Sequence, residues 1–175
     1  MALTNEIGRR ALLRSCCVVA FAGGAGATVS LTPTAAVAAG AAPPLVEAFY
    51  RRIWNTGELD AAPELLAKDF VFRGSLGAEL RGIPAFLDYV RPIRTALAEY
   101  RCDILECVAD GRQAFAKMRF GGRHVGAFRG FAPTGKHVEW LGAALFKFDG
   151  GVIAELWVLG DLASLDALLK KNQEG

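Results

Sequence analysis

Residues 138–161 read VEWLGAALFKFDGGVIAELWVLGD, and this stretch decides the fold. Two apolar runs, Val138 to Phe148 and Val152 to Leu159, flank Asp149-Gly150-Gly151. Strand-like runs around such a turn are the signature of a β-hairpin. Trp140, Gly142, Ala144 and Phe146 alternate with Leu141, Ala143 and Leu145, so both faces of the first strand are apolar. One face can fill a core. The other needs cover, which points to a homodimer built on the outer face of a sheet.

Outward from this hairpin, the pattern continues in both directions. Tyr100 to Ala109 and Gln113 to Phe120 flank Asp110-Gly111, a second hairpin signal, and Val125 to Phe131 reads as a further strand of the meander. Leu162, Leu165, Leu168 and Leu169 fall at helical spacing and predict a short closing helix. Upstream the period changes. Leu45, Phe49, Ile53 and Trp54 mark a helix that stops at Asn55-Thr56-Gly57. Leu59, Leu65, Leu66 and Phe70 mark a second, with Asp60 as its expected N-cap and Pro63 in its first turn. Val71 to Arg73 reads as a short strand, and Gly74 to Gly82 as a loop. Ile83-Pro84 opens a third helix, with Phe86, Leu87, Val90, Ile93 and Leu97 on one face and Pro92 inside, where a kink is expected. Helices first and strands after predict an α+β domain: a curved antiparallel sheet packed on three N-terminal helices.

The chain has 175 residues, and the first part reads as something other than the fold. Arg9-Arg10 precedes a weakly apolar run broken by Gly23, Gly24 and Gly26, and Ala36-Val37-Ala38 supplies a small-x-small cleavage pattern. This is the pattern of a twin-arginine (Tat) export signal over residues 1–38, followed by a linker over 39–44 and one domain over 45–175. The expected location is periplasmic or secreted, with the Tat machinery as a transient partner and no stable membrane anchor. The formal charge of +2 resides in the leader; the remainder carries equal numbers of acids and bases. No basic patch argues for nucleic acid. Cys102 and Cys107, five apart on one expected strand, should lie on opposite faces and remain unpaired.

Two segments are more specific than the pattern: HVGAFRGFAPTG from His124, and FDGGVIAELWVLGD ending at Asp161. Over about residues 45 to 170 the chain resembles the SnoaL-like polyketide cyclases, or ester cyclases, of the NTF2-like superfamily. The resemblance implies a cone-shaped α+β barrel with an open apolar pocket and a dimer across the sheet. It also implies ring closure by intramolecular aldol condensation, with an acid/base carboxylate, a nearby His, and neither metal nor cofactor. Many members carry a His and an Asp flanking the last Trp; here those positions are Leu156 and Val158. The same fold hosts an epoxide hydrolase that needs an Asp-Arg-Asp cluster, for which this sequence gives no clear pattern.

Aldol chemistry needs a base for an α-proton and an acid for the new alkoxide, and one carboxylate with a raised pKa can serve as both. Asp161 and His124 are the expected catalytic pair. Asp161, between a strand and a helix, reads equally as an N-cap. His124 reads also as a strand residue satisfied by its backbone surroundings, and His137 as solvated. Trp140, Trp157, Phe128, Glu139 and Glu155 are the expected substrate-binding set, although strand glutamates commonly face solvent and tryptophans commonly fill cores. The histidines lack ligand spacing, so no metal site is expected. Three readings follow: a cofactor-independent cyclase, lyase or isomerase on a small hydrophobic carbonyl compound; a non-catalytic pocket protein for a small hydrophobic molecule; and an interaction module. They differ in whether His124 and Asp161 open into one cavity.

Overall fold

A computed structural model describes residues 40–75, 77 and 79–175. The expected leader, with Arg9, Arg10 and Ala36-Val37-Ala38, lies outside the described residues. Helix α1 (Pro44–Phe49) runs directly into a π-helical stretch, Tyr50–Thr56. Gly57, at φ +77°, ends it in the left-handed conformation a side chain resists. The side chain of Asn55 then clips this helix to the sheet. It accepts from the Cys102 backbone N–H at 2.8 Å and donates to the Cys102 carbonyl at 3.3 Å.

The second helix is shorter than its apolar spacing predicts. A single 3₁₀ turn, Leu59–Ala61, leads into α2 (Ala62–Leu65), and Asp60 makes no capping hydrogen bond. Leu66 and Phe70 belong instead to strand β1 (Leu66–Arg73). Four apolar residues in that window satisfy a helical period or a strand's inward positions, and sheet pairing selects the strand. The expected loop holds a short strand, β2 (Glu79–Arg81). Helix α3 (Ile83–Ala96) carries Pro92 inside and continues through it as one element.

Strands β3 (Leu97–Ala109), β4 (Gln113–His124), β5 (His137–Asp149) and β6 (Val152–Gly160) follow, then α4 (Leu162–Glu174). The hairpins turn at Asp110-Gly111 and Asp149-Gly150, as read from sequence. Asp110 fastens the first by accepting from the N–H groups of Arg112 and Gln113, both at 2.9 Å. The sheet has six strands in the order β2-β1-β6-β5-β4-β3. It curves around the helices without closing, since β2 and β3 remain its edges. Every pairing is antiparallel except one: β1 runs parallel to β6. Residues 125–131 are not a strand. They form a loop around a tight turn in which Phe128 and Phe131 exchange backbone hydrogen bonds.

Alternation sorts each strand into two faces. Ala114, Ala116, Met118 and Phe120 of β4 and Trp140, Ala144 and Phe146 of β5 point to the helices and are buried. Cys102 and Cys107 both lie on this inner face and form no disulfide among the described residues. A bulge between Ile104 and Glu106 restores their parity, which strict alternation over five residues would have opposed. Phe115, Leu141 and Leu159 point outward, roughly half exposed.

Candidate functional site: a tyrosine-lined cavity

Between the helices and the inner face of the sheet the packing is uneven. Toward one end Phe49, Phe70, Phe86 and Phe146 are wholly buried, and their rings meet edge-on or stacked at 5.3–5.9 Å. Toward the other the side chains stand apart around an open cavity of about 560 Å³. That volume suits a small organic molecule. Its walls come from the π-helical stretch, α3, the inner faces of β3 to β6 and the loop after β4.

All three tyrosines of the chain line it: Tyr50, Tyr89 and Tyr100. Trp54 and Trp140 line it as well. Tyr50 and Trp54, four apart, share one side of the widened π-helical turn. Tyr50 is 3% exposed, and its hydroxyl has no hydrogen-bond partner among the described residues. Burial holds its phenol well above the ordinary range, and the thiols of Cys102 and Cys107 add to the shift. Tyr50 therefore remains neutral and a donor across physiological pH. Tyr100 is held high in the same way by burial. Small residues open the space. A side chain at Gly74 would collide with the Tyr89 hydroxyl, and one at Gly160 would press on the Trp140 indole. The Ser75 hydroxyl accepts from the Gly160 N–H at 2.7 Å, tying the loop after β1 to the end of β6.

Of the residues singled out from sequence, Phe128 and Trp140 line the cavity. The others do not. Asp161 is the N-cap of α4. Its carboxylate accepts from the Ser164 N–H at 3.0 Å and the Ser164 hydroxyl at 2.6 Å. These bonds, the hydroxyl first, hold its pKa below the carboxylate range, opposite to the lift an acid/base role at neutral pH requires. His124 is fully buried at the end of β4, where Nδ1 lies 3.3 Å from the Thr134 hydroxyl and the ring meets Phe128 edge-on. Its Nε2 has no partner among the described residues. Asp161 and His124 are thus not brought together in the cavity.

Glu139 and Glu155 face outward, the first 3.7 Å from Arg119 and the second 2.6 Å from Lys147. Trp157 pairs across the sheet with Leu145, on the face away from the cavity. It lies between the inward Leu156 and Val158 neighbours only in sequence; a strand turns every second residue over. His137 is exposed. Among the described residues no cluster of three His, Cys, Asp or Glu side chains could hold a metal.

The residues that sequence reading missed are the tyrosines, Ser75, Cys102 and Arg129. A tyrosine at a core-facing position was the available signal, because a filled core is as well served by phenylalanine.

Comparison with known proteins agrees with this architecture. The family model described as SnoaL-like polyketide cyclase matches residues 45–168. Among solved structures, the chain is similar to TsrD from Streptomyces laurentii at 26% identity and a TM-score of 0.63, over 71% of this chain and 91% of that one. It is similar to a protein assigned to the SnoaL-like polyketide cyclases from Jannaschia sp. CCS1 at 18% identity and a TM-score of 0.66, over 71% and 88% of the two chains. An LEH-like epoxide hydrolase from M. tuberculosis shares the fold at 17% identity and a TM-score of 0.59, over 74% and 89%. No curated protein matches the sequence.

Proposed function

We infer what this chain does from one premise: it belongs to the SnoaL-like polyketide cyclase family. That family is one of cofactor-independent cyclase- and isomerase-type proteins. In our reading the cavity takes up a small hydrophobic carbonyl compound and promotes ring closure or isomerisation of it. The observation that carries this is the open cavity of about 560 Å³, walled mainly by aromatic rings, several of which bear a hydroxyl or an indole N–H. Such donors are matched to a ligand carbonyl, and equally to the enolate left when solvent base takes an α-proton. The walls would hold a flexible substrate folded, which lowers the entropic part of a ring-closing barrier. Asp161 and His124 carry no step in this reading.

A second reading, a non-catalytic binding protein, is favoured by one observation: Asp161, the expected base, is held ionised on the surface. The two are separated with 2-acetonaphthone, an aromatic methyl ketone. Quenching of Trp54 and Trp140 fluorescence reads binding, and deuterium uptake at the methyl group in D₂O reads enolisation. Binding with accelerated exchange supports the enzyme. Binding with exchange at the buffer rate supports the carrier. No binding at millimolar ketone overturns both.

Two further proposals concern partners. Export through the Tat machinery rests on Arg9-Arg10 and the following weakly apolar run. Lysine at both positions should retain the protein inside the cell. A homodimer rests on Phe115, Leu141 and Leu159, large apolar side chains exposed on the outer sheet face. A monomer in sedimentation at micromolar concentration would contradict it.

A further inference from the structure

The cavity has two charged residues on its wall among those described, and they are not alike. Asp88 stands at the opening with its side chain 77% exposed, paired to Arg91. Arg129 is 13% exposed, so most of its side chain is turned away from solvent. The backbone that puts it there is unusual. Arg129 and Gly130 are the two residues of the tight turn between Phe128 and Phe131, at φ +52° and φ +84°. Such a turn favours Gly, Asn or Asp at both places, and an arginine in the left-handed region is strained. Strain of this kind persists where the side chain has a task.

One task is visible. Arg129 Nε and Nη2 bind the two carboxylate oxygens of Asp166 on α4, at 2.6 and 2.7 Å. This fork leaves Nη1 with no partner among the described residues. The Tyr89 hydroxyl shares this part of the cavity wall and feels the Arg129 charge. An arginine N–H group beside a phenol offers donors and no second cation. The complementary ligand group is acceptor-only, planar and negative.

We propose that Arg129 recognises the carboxylate of an apolar acid, whose hydrocarbon or aromatic body fills the tyrosine-lined cavity. The inference rests on the cavity being the binding site and adds which molecules it prefers. Asp166 has a double effect in this arrangement. It orients the guanidinium, and its own charge opposes the ligand's.

The test uses 2-naphthoate and its methyl ester, which share a ring system and differ in charge at pH 7, each titrated by calorimetry. The full-length protein should bind 2-naphthoate more tightly than the ester. Arg129→Asn suits the left-handed turn and removes the cation. It should weaken 2-naphthoate by about tenfold or more, the scale of one charge-assisted hydrogen bond, and leave the ester within about twofold. Asp166→Asn should tighten 2-naphthoate by about two- to fivefold, the scale of one partly exposed charge pair. A clip that merely fastens the loop to α4 predicts otherwise: both variants would then weaken both probes together. Equal affinity for acid and ester, or the same direction of change in both variants, overturns the proposal while leaving the pocket intact. Failure of both probes to bind overturns the pocket itself. Melting temperatures of the two variants establish that each is folded.

Discussion

The two ends of the space between helices and sheet are built from the same kind of residue and do opposite things. At the packed end Phe86 touches Phe49, Phe70 and Phe72, with centroids 5.0 to 5.9 Å apart. At the hollow end Tyr50, Tyr89, Tyr100, Trp54 and Trp140 stand around open volume with Phe120, Phe128 and, at the border, Phe72. The packed rings carry no polar atom, whereas five of the eight rings on the cavity wall carry a hydroxyl or an indole N–H. Aromatic content alone therefore does not separate core from pocket. Polar handles on rings gather at the hollow end, because in a filled core most would lie unsatisfied.

That contrast can be broken by substitution. Phe86→Ala should cost about 3–5 kcal/mol in urea unfolding, the usual loss for emptying a fully packed aromatic site. A loss under about 1 kcal/mol would mean that the packed end is as loose as the hollow one. Val158→Phe at the hollow end adds a ring to empty space. It should change stability by less than about 1 kcal/mol, whereas overpacking a filled core costs about 1–3 kcal/mol. It should also weaken 2-acetonaphthone binding. A large destabilisation there would show that the cavity is already filled.

Tyr50→Phe sharpens the comparison at the border of the two ends, since Tyr50 also meets Phe49 and Phe146 at 5.2 and 5.7 Å. Removing an unpaired buried hydroxyl should raise stability by about 1 kcal/mol. The same change should leave ketone affinity within about twofold, because this hydroxyl is buried behind the cavity wall. Loss of stability instead would mean that the hydroxyl has a partner in the folded protein.

The smallest effect is expected at the helix cap. Asp161→Ala should lower the melting temperature by a few degrees and leave ligand binding unchanged. Lost turnover with an intact fold would return Asp161 to the chemistry. The pH dependence has a fixed sign. Asp161 is held low by the Ser164 hydroxyl, Asp166 by Arg129, and Asp110 by the Arg112 N–H. Each folded pKa lies below the unfolded one, so the stabilisation is complete above about pH 4 and is lost as pH falls through the folded values. Thermal melts between pH 7 and 2 check this, and a melting temperature that rises on acidification would contradict it.

The fold was legible because its signals are local. Asp110-Gly111 and Asp149-Gly150 fix two hairpins, and period-two alternation assigns Trp140 and Leu141 to opposite faces with no knowledge of their neighbours. Legibility ended where a residue's meaning depended on distant partners. Leu66 and Phe70 fit a helical spacing until β6 is present to pair with β1. Cys102 and Cys107 change relative face through a bulge that no residue type announces. The site was harder still. Asp161 satisfied both a cap pattern and a catalytic one, and what distinguishes them is whether Ser164 or a cavity lies beside it. Trp157 and Trp140 look equivalent in sequence and face opposite sides of the sheet. Arg129 was invisible, because Val125 to Phe131 reads as a strand, and the turn that folds this side chain back appears only in the structure.

The one parallel seam in the sheet has a consequence for how the chain reaches this shape. Strand β6 lies between β1 and β5, so the first strand made finds its central neighbour only among the last. On a ribosome delivering residues in order, β1 and β2 can pair early, and β3 to β5 can zip by local hairpins. The two halves have no shared ladder until Glu155, Leu156 and Trp157 emerge to meet Val71, Phe72 and Arg73. The β1–β2 pair and the β3–β5 ladder become one sheet only through that late strand. A nascent chain stopped at Asp149 thus has its N-terminal helices and five of its six strands, yet lacks the strand that joins the two ladders.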